Sequence, residues 1–76
     1  MKHIILTGID ETGDYVNLMV DGSKILSALD TLKTNGQFDH TTIILDNSVK
    51  PLTFDVMEQA VDIMKKIDEC DKLNRR

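Results

Sequence analysis

Cys70, the chain's single cysteine, and its two histidines, His3 and His40, are the side chains best suited to nucleophilic or acid–base chemistry. A thiol nucleophile needs a base within hydrogen-bond reach and a third group that orients the base. No orienting group is identifiable, and Cys70 falls at the edge of an apolar helical stripe, where cysteine usually serves as a small hydrophobe. A structural zinc needs about four closely spaced Cys, His or carboxylate ligands, a set these residues do not supply. The chain is therefore expected to be no enzyme and to hold no metal and no cofactor.

Two acidic patterns point to other chemistries. Asp10, Thr12, Asp14 and Asp21 match some ligand positions of a calcium-binding loop. That loop requires a glycine where Tyr15 stands and a glutamate where Asp21 stands, so an acidic hairpin turn explains the spacing better. Asp55, Glu58, Asp62 and Glu69 share the outer face of an expected helix and could imitate the phosphates of DNA. Lys65 and Lys66 interrupt the row, however, and Asp62–Lys66 and Lys65–Glu69 are the i,i+4 pairs of an ordinary solvated helix face.

Asp21–Gly22–Ser23–Lys24 lies between an expected strand and an expected helix. Unpaired amides at a helix start can hold an anion, and Lys24 would balance its charge, which makes a nucleotide-type ligand one alternative function. No glycine-rich loop is present to wrap a phosphate and Asp21 is adjacent, so a helix cap accounts for the same residues.

The elements that must position these groups follow from the hydrophobic pattern. Lys2 to Ile9 is β-branched and apolar, Glu11–Thr12–Gly13–Asp14 has turn chemistry, and Tyr15 to Val20 alternates, which predicts a β-hairpin. Ile25, Ala28, Leu29 and Leu32 recur at helical spacing before Asn35–Gly36, predicting a helix over 23–35. Thr41 to Leu45 reads as a third strand. Pro51 bars an earlier helix start; Thr53 would then cap a long C-terminal helix, with Leu52 stapled to Met57. The expected fold is one small α+β domain over 1–76, ordered β-β-α-β-α. Its three-stranded antiparallel sheet has order 2-1-3, with both helices on one face.

The long helix would be apolar over an arc of about 200°, twice what docking on one neighbour requires. Val56, Ala60, Ile63, Ile67 and Cys70 form one stripe; Phe54, Met57, Val61 and Met64 form a second. The second stripe is the candidate interface, because methionine-rich surfaces adapt to partners.

Size and charge narrow the partner. A domain of 76 residues has a marginal core; with one cysteine it can form no internal disulfide, which leaves oligomerisation as the available staple. Residues 1–62 hold ten acids and four bases, and residues 63–76 three acids and five bases, together the net −4 of the chain. An acidic body repels phosphate backbones, and three aromatics are too few for base stacking. Lys72, Arg75 and Arg76 suit a helix C-terminus, whose dipole favours cations. A lone cysteine and an N-terminal apolar run too short for a signal sequence or a membrane span predict a cytoplasmic, soluble protein. The leading expectation is a non-enzymatic binding or regulatory protein, the inhibitor type included, that acts through protein contacts and homodimerises through its C-terminal helix. Ligand binding at Asp21–Lys24 and acidic mimicry of nucleic acid are the alternatives.

Overall fold

Two turns of one design organise the chain. Asp10 N donates to Asp14 O (2.9 Å) and Gly13 N to Asp10 O (3.0 Å); Lys33 N donates to Gln37 O (2.7 Å) and Gly36 N to Lys33 O (2.9 Å). Gly13 and Gly36 both have φ of 87°, which glycine adopts without the steric cost a Cβ brings. Each turn is a three-residue hairpin loop ending in a left-handed residue.

The computed structural model describes residues 3–73, with side chains through Cys70. The strands are β1 (His3–Ile9), β2 (Tyr15–Asp21), β3 (Ile25–Leu32), β4 (Phe38–Leu45) and β5 (Leu52–Val56), followed by helix α1 (Ala60–Leu73). A single 3-10 turn, Gly22–Lys24, links β2 to β3. All pairings are antiparallel, and the sheet order is β2-β1-β5-β4-β3.

The first hairpin forms with Ile9 opposite Tyr15 and His3 opposite Asp21. The rest corrects the expected three-stranded, two-helix fold: there are five strands and one helix among the described residues. Residues 25–32 are a strand, in which Ala28 lies opposite Ile43 and Leu29 opposite Thr42. Their helical spacing of leucines is an accident of a strand with two register irregularities, between Ile25 and Ser27 and between Thr31 and Leu32. Asn35–Gly36 is a hairpin turn and no helix end; Asn35 Oδ1 accepts from Gln37 N at 3.0 Å. An isolated helix of that length is marginal in water, whereas β4 offers a full-length antiparallel partner.

The same competition decides residues 52–56. Leu52, Phe54 and Val56 alternate with Thr53 and Asp55, and the segment fills the middle of the sheet between β4 and β1. Thr53 therefore caps nothing, Leu52 does not staple Met57, and the helix begins only at Ala60. The expected third strand is interior, not an edge; the edges are β2 and β3.

The sheet is sharply curled. β1 meets β5 at one paired position, Gly8 opposite Val56. In a flat sheet continuing that register, Leu18, opposite Leu6, would lie about four residues, or ~13 Å, along the strands from Phe54. Instead Leu18 and Val20 line one cleft with Leu45, Leu52 and Phe54. The β1–β2 hairpin thus folds over the three-stranded part. Gly8 gives room to the side chains of the paired strand: a Cβ there would stand 3.3 Å from Leu18 Cβ and Val16 Cγ2. The core enclosed is small, comprising Ile4, Leu6, Val20, Ile43, Val56 and Ile63. Helix α1 closes it, lying against β1 and β3. Among the described residues no helix is long and apolar enough to cross a membrane.

Candidate functional site

The segment entering α1 is pinned from two sides by carboxylates. Glu58 Oε1 and Oε2 accept from Thr7 N at 2.8 and 3.0 Å, and Oε2 also accepts from Thr7 Oγ1 at 3.0 Å. Because β5 leaves β1 after Val56, the Thr7 amide has lost its strand partner, and the Glu58 side chain takes its place. Across the sheet, Asp30 Oδ1 accepts from Thr41 Oγ1 (2.7 Å) and from Ala60 N (2.9 Å). A helix start has orphan amides; here β3 supplies the cap from thirty positions earlier in the chain.

These anchors fix which side of α1 faces out. Ile63 is 2% exposed, whereas its neighbour Met64 is 63% and Val61 47% exposed. The other two members of the expected stripe do not share the helix. Phe54 belongs to β5 and packs against the core. Met57 lies in the connection, where its amide donates to Thr7 O (2.9 Å) and its side chain lines an outer cleft. The structure therefore leaves Val61 and Met64 together and separates Phe54 and Met57 from them. Edge strand β3 adds the exposed Leu26, Leu29 and Leu32.

The outer cleft gathers residues that the sequence patterns did not connect. Tyr15, Phe38, Asp39, His40, Asp55 and Met57 line a space of about 440 Å³ beside the first hairpin turn. His40 Nδ1 is 2.9 Å from Asp39 Oδ2, its Nε2 is 3.8 Å from Asp55 Oδ1, and Asp55 Oδ1 accepts from Thr42 Oγ1 at 2.9 Å. Reading Asn35–Gly36 as a hairpin turn would have placed Phe38–His40 on a strand beside β3. Tyr15 joins them through the pairing of β1 with β5, which leaves no local signal.

At the proposed ligand turn, Asp21, Gly22, Ser23 and Lys24 do form a short helical turn, but Asp21 Oδ1 accepts from both Ser23 N (3.0 Å) and Ser23 Oγ (2.6 Å). A carboxylate already occupies the amide an anion would need. In the Asp10–Asp14 turn, Asp10 Oδ1 accepts from Thr12 N, Thr12 Oγ1 and Asp14 N at 3.0, 2.7 and 2.9 Å. The Thr12 hydroxyl foremost, then the Asp14 amide, hold the Asp10 carboxyl below its ordinary range. Among the described residues no three Cys, His, Asp or Glu side chains are arranged to hold a metal ion. Cys70 Sγ lies 4.0 Å from the carbonyl oxygen of His3 and borders a cleft that shares no lining residue with that of His40.

The acids expected on one helix face are dispersed. Asp55 is in β5 and Glu58 is bound to Thr7, which leaves Asp62 and Glu69 on α1. The Lys72 side chain, Arg75 and Arg76 lie outside the described residues. No family model, curated protein or solved structure matches the chain.

Proposed function

We propose that this chain is a small non-enzymatic binding and regulatory protein that homodimerises through α1 and acts by contact with a protein partner. The observation that carries the reading is the balance of apolar surface: among the described residues, eleven large apolar side chains are exposed against six buried. Single exposed hydrophobes are normal on any surface. Here they include Val61 and Met64 on one helix face and three leucines on β3, a strand at the edge of the sheet, the feature that monomers commonly blunt with charge.

A core of six side chains is small for a domain of this size, and association would add the burial it lacks. A reducing, cytoplasmic compartment suits a chain whose single cysteine allows no internal disulfide. Sedimentation velocity across a range of concentrations tests the self-association. A mass that rises to twice the monomer supports it, and a monomer at high micromolar concentration refutes it.

A further inference from the structure

We propose that the groove beside the first hairpin turn is a docking site for an arginine-bearing peptide segment of a protein partner. The inference deepens the reading of this chain as a protein-binding module and rests on it. The cleft of about 440 Å³ described above adjoins a second, of about 460 Å³, lined by Asp10, Glu11, Thr53 and Phe54. Ile9 and Asp55 border both. The two form one groove, and the aromatic side chains of Tyr15 and Phe38 line it.

Charge selects the occupant. Four carboxylates, Asp10, Glu11, Asp39 and Asp55, line the groove against one lysine, Lys33, and the imidazole of His40. A phosphate or an acidic peptide would be repelled. A guanidinium satisfies both kinds of lining at once, because its plane stacks on aromatic faces while its forked donors pair with carboxylates. Tyr15 is 68% exposed and open to such stacking. An ammonium matches the carboxylates but not the planar stacking, so arginine is preferred over lysine.

The test titrates the full chain into a fluorescent peptide of alternating arginine and serine, read by anisotropy at near-physiological salt. Saturable binding is expected, and it weakens about tenfold, or ~1.4 kcal/mol, in Tyr15→Ala and in the double variant Asp39→Asn/Asp55→Asn. The double variant Asp62→Asn/Glu69→Gln makes the same charge change on α1 and is expected to leave the affinity unaltered. Since Asp55 also holds Thr42, circular dichroism checks that each variant is folded; the exposed Tyr15 keeps the test decisive if the groove double variant is not. Absence of saturable binding overturns the proposal, as does equal weakening by the two charge pairs, or binding of free acetyl-arginine amide as tight as that of the peptide. Oligomeric state is measured on the same samples. A monomer that binds the peptide supports the groove while refuting dimerisation, and a dimer that does not bind it overturns the groove alone.

Discussion

Glu58 holds Thr7 by its amide and its hydroxyl at once, with contacts of 2.8 to 3.0 Å. This one side chain does for β1 what β5 stops doing after Val56, and it ties the segment before α1 to β1. The helix is thereby set with Ile63 inward and Met64 outward.

Removing that carboxylate strands a partly buried amide. Glu58→Ala is expected to destabilise the domain by about 1–3 kcal/mol, the cost of an unmet donor that had a charged partner. Glu58→Gln, which keeps an acceptor oxygen, is expected to lose less. Urea unfolding of the two variants checks the order; equal losses would mean that the acceptor itself contributes nothing.

Asp30 is the second anchor. Thr41 is 0% exposed and its hydroxyl donates to Asp30, as does the first amide of α1. Asp30→Ala is expected to cost about 1–3 kcal/mol. Asp30→Asn retains the accepting oxygen and forfeits mainly the attraction between a negative charge and the helix start, ~0.3–1 kcal/mol. At about 4–8 °C per kcal/mol for a domain of this size, thermal melts separate the variants.

Much of the core was legible in the sequence while its scaffold was not. Val56 and Ile63 fall on one stripe of an imagined continuous helix, and both are buried, but Val56 is in a strand. Apolar periodicity identifies what must be inside; it does not say which backbone carries it when spacings fit both periods, as Ile25, Ala28, Leu29 and Leu32 do. The first hairpin was readable because turn chemistry and alternation agree there. The site was readable only on α1, where Val61 and Met64 follow from helical spacing. Phe54 and Met57 were misplaced because β5 is enclosed by its pairing with distant β1, at Gly8 and Val56, which is a long-range event. The cap from Asp30 and the gathering of Tyr15, Phe38 and His40 depend on the order and register of the strands, for which no local pattern exists.

Acid dependence is expected from the first turn. The Asp10 carboxyl is held below the 3.8 of an ordinary aspartate by the Thr12 hydroxyl and then by the Asp14 amide. A lowered folded-state pKa means that the unfolded chain binds the proton more readily. The contribution to stability is complete above the unfolded value and is lost as pH falls through the folded one. A carboxyl-detected NMR titration should give Asp10 a midpoint below 3.8, and Asp10→Asn should unfold with a shallower dependence on acid. A midpoint at or above the ordinary value would contradict the geometry of the turn.

Met64→Lys probes whether the outward strip of α1 joins two copies of the chain. Light scattering and circular dichroism are compared for the wild type, Met64→Lys and Ile63→Lys. A folded dimer, a folded monomer and an unfolded chain are expected, in that order. A lysine at 64 would place an unpaired charge in the interface, at a cost of about 3–5 kcal/mol, while the same residue at 63 would place it in the core. A Met64→Lys protein that keeps the dimer mass, or that unfolds as completely as Ile63→Lys, contradicts dimerisation through that strip.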